Sequence, residues 1–275
     1  MGNFLSCFAS LLLLTLAPPV ILGVVVWLCQ RLFCIFVGEY SGRPLLLAAS
    51  AVSTPLREAG HALACVLFFH TIEDMCLFSA NDPDGELGFV EHSYNPRNPV
   101  ALLGNLAYAL APVALGLFAV LVVFLSCFRG VIGPFFDEIA LLGAEGAGFA
   151  EYVRTTFSLI PQMFAGGTAG IVSKIIGTAL ILFICLGIHI TPFELADAFS
   201  GLLIYTGVAA LASFVLALLD VRVVRMVTAS LGGFATAVTA LFAVVLLAAA
   251  ALLAVGGVVF LIRTLFELDR TEADE

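Results

Sequence analysis

Residues 44–69 (PLLLAASAVSTPLREAGHALACVLFF) decide the fold, because this apolar stretch is long enough to cross a membrane yet carries Arg57 and Glu58 near its middle. A helix needs about 20 residues to cross the hydrocarbon core of a bilayer. Charged side chains at that depth are costly, and they persist when they pair with each other or serve a site. The stretch therefore predicts a membrane helix whose charged residues face the interior of the protein.

The composition of the whole chain also indicates a membrane protein. Of its 275 residues, 62% are hydrophobic and 11% are charged, whereas about a quarter of residues are charged in soluble domains. Apolar runs of spanning length occur at 4–37, 44–69, 100–128, 166–188, 199–219 and 231–262. These runs predict an all-α polytopic membrane protein with about six transmembrane helices, and leave five or seven as alternatives.

Three regions follow one another along the chain. In residues 1–43, Pro18 and Pro19 interrupt the apolar run, which predicts either one kinked span or a re-entrant hairpin. Residues 44–205 form the predicted membrane core, with a polar loop at 71–99 and an amphipathic segment at 134–164 that we expect at the membrane interface. Residues 206–275 hold the C-terminal spans and an acidic tail.

The polar loop at 71–99 predicts an external β-hairpin. Alternating apolar residues flank Asp82-Pro83-Asp84-Gly85, which has the composition of a tight turn. The loop is acidic, and arginines concentrate instead in the first, third and fifth loops. Because cytoplasmic loops carry an excess of Lys and Arg, we expect the two acidic loops, at 71–99 and around residue 194, to be external. Arg263 and Arg270 depart from this pattern.

The distribution of charges and cysteines limits the kinds of partner and ligand that we expect this chain to bind. The net charge of −9 arises from acids in loops and in the tail, and the 11 basic residues form no cluster that would bind nucleic acid. The expected partners are the lipid bilayer and a membrane-protein partner or substrate. Seven cysteines lie mostly within apolar runs without any C-x-x-C, which favours buried free thiols over metal ligands or disulfides.

The sequence Arg57-Glu58-Ala59-Gly60-His61 differs at its first position from the H-E-x-x-H pattern. In that pattern two histidines on one helical face bind zinc, and the glutamate is the general base. A guanidinium has no lone pair to offer and cannot replace the first histidine. The pattern alone leaves two interpretations open, a buried ion pair that holds helices together and a metal or proton-handling site.

The surrounding sequence resembles the site-2-protease-like intramembrane zinc metallopeptidases, whose active-site helix typically reads H-E-x-G-H-A where residues 54–64 read TPLREAGHALA. Three later stretches are similar, in the same order, to one bacterial branch. Residues 77–95 resemble its strand-turn-strand insert, 104–112 its next helix, and 188–201 its H-x-S-P-x-D loop and helix start. This resemblance covers about residues 50–205, and implies a site-2-protease-like membrane fold in a bacterial inner membrane.

The resemblance implies roles for few residues. Glu58 matches the catalytic base and His61 a zinc ligand, while His189 and Glu194 are the candidates to join His61 at a metal. The aspartate ligand of the family's N-x-x-P-x-x-x-L-D-G motif has no clean copy. Since catalytic zinc normally has three protein ligands, we expect zinc to be absent or substoichiometric. His70 and His92 are expected to lie away from His61.

Three functions follow from these features. The favoured one is a catalytically degenerate relative, a pseudoenzyme acting through membrane partners, in which Arg57 replaces the metal's positive charge by pairing with Glu58, Glu194 or another acid. The second is an active intramembrane zinc metallopeptidase that uses Glu58 and His61. The third is a transporter or ion-pathway subunit, which intramembrane charges and interrupted spans suggest. Zinc content separates the first two.

Overall fold

The computed structural model describes residues 2–37, 43–80, 87–166, 169–218 and 221–273. Within these ranges the chain forms eight helices and one two-stranded sheet. The helices are α1 (Gly2–Val37), α2 (Arg43–Leu67), α3 (Pro99–Cys127), α4 (Ile132–Glu145), α5 (Phe149–Ala165), α6 (Ile171–Cys185), α7 (Pro192–Leu218) and α8 (Val221–Ala273), and the strands are β1 (Thr71–Cys76) and β2 (Phe89–Ser93).

Four helices contain segments that are long and apolar enough to cross a bilayer, and they make the chain an integral membrane protein. These segments are Phe4–Val37, Pro99–Cys127, Pro192–Leu216 and Ala229–Leu265. The other two predicted spans fall outside this set: α6 has 15 residues, and α2 carries charged and hydroxyl side chains along one face. The expected count of six spans therefore stays a prediction.

Residues 2–37 form one long helix and not a re-entrant hairpin, since α1 continues through Pro18 and Pro19. A proline inside a helix donates no backbone hydrogen bond and weakens the turn before it. Neighbouring helices support that turn. The hydroxyls of Thr15 and Tyr205 lie 2.6 Å apart, which joins α1 to α7, and α8 packs along α1.

The chain after α2 forms the antiparallel pair β1–β2, in which Ile72 lies opposite His92 and Cys76 lies opposite Phe89. The ladder is irregular between Ile72 and Asp74. Beyond the strands, the Ser79 amide donates to the Leu87 carbonyl at 2.8 Å. The turn predicted at 82–85 lies outside the described residues.

Two helices, α4 and α5, cover the segment that the sequence predicted to be interfacial. Gly146 ends α4 in the left-handed region, with a φ of 67° that glycine adopts without strain. One side of the pair is buried, through Phe135, Ile139 and Leu159. The opposite side is exposed, so both helices are amphipathic.

The segment between α6 and α7 is packed tightly against three other helices, and glycines make the approach possible. Gly23 of α1 contacts Ile190, Gly116 of α3 contacts Ile188, and a Cβ on Gly187 would lie 2.7 Å from the backbone oxygen of Ser53. The Ile190 amide also donates to the Gly23 carbonyl at 3.3 Å. This packing fixes where α7 begins relative to α2.

We expect Gly187→Ala to destabilise the protein by about 1–3 kcal/mol, because its new methyl group meets the backbone of α2. Gly207→Ala is the matched control, since Gly207 lies in α7 with open space around it and alanine favours a helix by about 0.5–1 kcal/mol. Thermal unfolding in detergent measures both. Equal midpoints for Gly187→Ala and wild type would contradict this packing.

Candidate functional site

The buried face of α2 carries the degenerate motif. Glu58 and His61 are 1% and 0% exposed, which confirms the expectation that both face the interior. The backbone of Ala111 in α3 lies against Gly60, where an added Cβ would approach it to 3.1 Å. Close contact with α3 therefore covers the motif from one side, and the side chain of Glu194 contacts it from another.

Glu194 reaches this face from the first turn of α7. The sequence Thr191-Pro192-Phe193-Glu194 forms a capping box, in which the Glu194 amide donates to Thr191 Oγ1 at 3.2 Å and the Thr191 amide donates to Glu194 Oε2 at 2.7 Å. Proline suits the first helical position. The predicted start of this span near residue 199 is therefore wrong, because the cap begins α7 at Pro192.

Arg57 joins the two acidic side chains. Its Nη1 donates to Glu58 Oε1 at 2.5 Å, and its Nη2 donates to Glu194 Oε1. The prediction that Arg57 pairs with an acid is confirmed, and both proposed partners are engaged at once. One guanidinium thus lies between two carboxylates and connects α2 to α7, while its Nε is buried without a hydrogen-bond partner.

His61 is held in the orientation that metal-binding histidines adopt. Its Nδ1 lies 3.1 Å from the Tyr108 carbonyl oxygen, which can only accept a hydrogen bond, and its ring stacks on that of Tyr108 at 4.0 Å. Its Nε2 lies 3.1 Å from Glu194 Oε1, but the angle does not make a hydrogen bond. In metal-binding histidines one ring nitrogen normally donates to an acceptor such as a backbone carbonyl, and the other nitrogen binds the metal. In this protein the cation beside His61 is the guanidinium of Arg57.

His189 is buried beside this cluster but does not join it as a ligand. Its Nδ1 lies 3.1 Å from the Leu186 carbonyl. It lines a cavity of about 320 Å³ together with Arg57, Glu58 and Ser53. Of the two residues expected to join His61, the structure brings Glu194 into contact with it and leaves His189 in the lining of this cavity.

A second group of metal-binding residue types lies at the end of α2, where the sequence gave no recognised motif. One donor atom from each of Cys65, His70 and His92 lies within 4.8 Å of the other two, and among the described residues this is the one such group of three. The expectation that His92 lies away from His61 is incorrect in part, since its ring is 4.4 Å from Tyr108, which stacks on His61. No recognised spacing joins these three residues, because the end of α2 and the register of the strands bring them together.

The pKa of His92 supports a neutral ring. Burial, followed by the nearby His70, lowers the pKa of His92 below its ordinary value. An imidazole with a lowered pKa is uncharged at neutral pH, where its lone pair is available.

No family model, curated protein or solved structure matches this chain. The resemblance to site-2-protease-like metallopeptidases therefore stays a prediction from its motifs.

We expect Arg57→Ala to destabilise the protein by about 3 kcal/mol, because it leaves two buried carboxylates without their cation. Arg154→Ala removes an exposed arginine of α5 and is the matched control, with an expected change within about 0.5 kcal/mol. Chemical or thermal unfolding in detergent compares the two. A similar stability for both variants would mean that the guanidinium contributes little to holding α2 and α7 together.

Proposed function

We propose that this chain is a catalytically degenerate, site-2-protease-like membrane protein that acts by binding membrane partners. In this proposal Arg57 supplies the positive charge that a metal ion supplies in active relatives. The motif resemblance supports the family assignment, and the position of Arg57 supports the degenerate state.

The observation that carries the proposal is the position of the guanidinium between Glu58 and Glu194. A general base must present its carboxylate to a metal-bound water, whereas Glu58 is 1% exposed and already accepts a hydrogen bond from Arg57. Both oxygens of Glu194 are also engaged, because Oε2 caps α7 and Oε1 accepts a hydrogen bond from Arg57. A divalent cation within a few ångströms of the guanidinium would be repelled.

The cavity beside Arg57 supports a binding role. It is lined partly by polar side chains, including Gln30, Ser53 and Thr54, which offer hydrogen bonds to an unwound peptide segment. The degenerate protein thus keeps a space beside the former reaction centre while lacking the zinc-bound water. The bound partner would be a segment of another membrane protein.

The same proposal includes an orientation in a bacterial inner membrane, with six spans counting α2 and α6. The acidic hairpin of β1 and β2 is external, and the arginine-rich ends of the helices are cytoplasmic. The positive-inside rule supports this assignment. Arg43 begins α2 and the hairpin follows its other end, while Arg129 follows the far end of α3, so the basic and acidic ends alternate consistently.

Metal analysis tests the degenerate state. We expect purified wild type and His61→Ala to hold the same zinc content, because no zinc binds at His61. Arg57→His should gain one further equivalent through residues 57, 61 and 194, and adding His61→Ala to it should remove that gain. Zinc that wild type holds and His61→Ala loses would overturn the proposal and favour the active metallopeptidase.

Peptide hydrolysis provides a second measurement. We expect wild type and Glu58→Gln, both supplied with zinc, to cleave fluorescent casein and a synthetic transmembrane peptide equally poorly, at background rates. Cleavage by wild type that Glu58→Gln abolishes would identify Glu58 as a working general base.

Labelling with a membrane-impermeant maleimide tests the orientation. In intact cells, Glu73→Cys in the hairpin should be labelled, while Arg129→Cys should be labelled after the membrane is permeabilised. Both positions are exposed on the protein. Wild type gives the background from its seven native cysteines, and the reverse result would invert the proposed orientation.

A further inference from the structure

Cys65, His70 and His92 form a compact group of metal-binding side chains outside the Arg57 cluster. Their donor atoms lie within 4.8 Å of one another. Cys65 is 0% exposed and His70 is 7% exposed, whereas His92 is half-buried. The group contains one sulfur and two imidazole nitrogens, which are the ligand types of zinc sites.

His70 presents a free nitrogen inside the protein. Its Nε2 donates to the Ala101 carbonyl at 2.8 Å, because a carbonyl can only accept. This bond leaves the lone pair on Nδ1, which is buried and has no hydrogen-bond partner. Burying an unpaired nitrogen is unfavourable, and a metal ion would satisfy it. The carbonyl bond to the other nitrogen is the usual support of a metal-binding histidine.

The end of α2 brings Cys65 and His70 together. The His70 amide donates to the Cys65 carbonyl at 2.9 Å, which closes the last turn of the helix. Phe69 between them has a φ of 61°, a left-handed conformation that is unusual for a bulky residue. Gly104 of α3 leaves room for the ring, since a Cβ there would lie 2.5 Å from His70 Nε2.

The β-ladder brings His92 to the same place. His92 pairs with Ile72 of β1, and His70 lies two residues before Ile72, immediately ahead of the strand. Their rings are 5.0 Å apart and 18° from parallel. An imidazole binds a metal in the plane of its ring, so the less buried His92 has to rotate towards the other two residues for all three to bind.

We propose that Cys65, His70 and His92 bind a divalent zinc-class metal ion, at a site separate from His61. Cys65 binds as a thiolate and releases its proton to solvent. At Zn–S and Zn–N distances of about 2.3 and 2.0 Å, ligand atoms lie roughly 3.5 Å apart, so a modest contraction completes the site. Water takes the fourth position.

This ion would connect the end of α2 to β2 and hold the hairpin against the membrane core. Three expectations from the sequence change as a result. Cys65 becomes a ligand instead of a free thiol, and His70 and His92 become ligands of their own site. Wild type holds one zinc ion instead of none or a substoichiometric amount. This proposal does not depend on the proposed function, which concerns zinc at His61. The zinc content of variants at each site, and not the zinc content of wild type alone, therefore distinguishes the two sites.

The test uses the full chain purified in detergent, stripped with a chelator, reloaded with zinc or cobalt and freed of excess metal. We expect one zinc per wild-type chain and at least about tenfold weaker binding in Cys65→Ser, His70→Ala and His92→Ala. Cobalt should give a thiolate charge-transfer absorption that Cys65→Ser abolishes. Cys185→Ser, which removes another buried cysteine, and His189→Ala should keep the metal.

His92→Ala keeps the test decisive if His70→Ala fails to fold, because His92 is the least buried of the three residues. No retained zinc in wild type, or zinc retained by Cys65→Ser and His92→Ala, would overturn the proposal. If the His61→Ala variant loses zinc while the Cys65→Ser and His92→Ala variants retain it, both this proposal and the degenerate state proposed for Arg57 are overturned.

Discussion

The guanidinium of Arg57 is the interaction on which the buried site depends. It lies between Glu58 on its own helix and Glu194 on α7, and either carboxylate would be costly to bury without it. A monovalent, planar cation with fixed donors thus occupies the position between the acids. It balances the charge of the carboxylates and joins α2 to α7 through hydrogen bonds.

The segment between α6 and α7 fixes the position of Glu194 in this site. Glycines allow Ile188 and Ile190 to pack directly against α3 and α1, and the capping box at Thr191 fixes the first turn of α7. Glu194 therefore has a defined position before it meets Arg57. The cap also occupies one of its oxygens, which limits its ability to serve as a metal ligand.

The buried polar residues of α2 serve two separate clusters that meet at Tyr108. Its ring stacks on His61 on one side and contacts His92 on the other. His61 and Cys65 are four residues apart and share a helical face, yet the first faces Glu194 and the second faces the hairpin. This polar face packs on protein and not on lipid, which explains why α2 is less apolar than the four spanning segments.

The sequence by itself determined the membrane class, the long apolar helices, the antiparallel strands around the acidic loop and the pairing of Arg57 with an acid. Hydropathy and the cost of burying charge act locally, so residues 44–69 and their neighbours reveal them. The tertiary structure alone decided that α1 runs through Pro18 and Pro19, that Glu194 reaches Arg57, and that Cys65 meets His70 and His92. Those outcomes depend on a helix cap, on glycine contacts and on strand register, which bring residues distant in sequence close together.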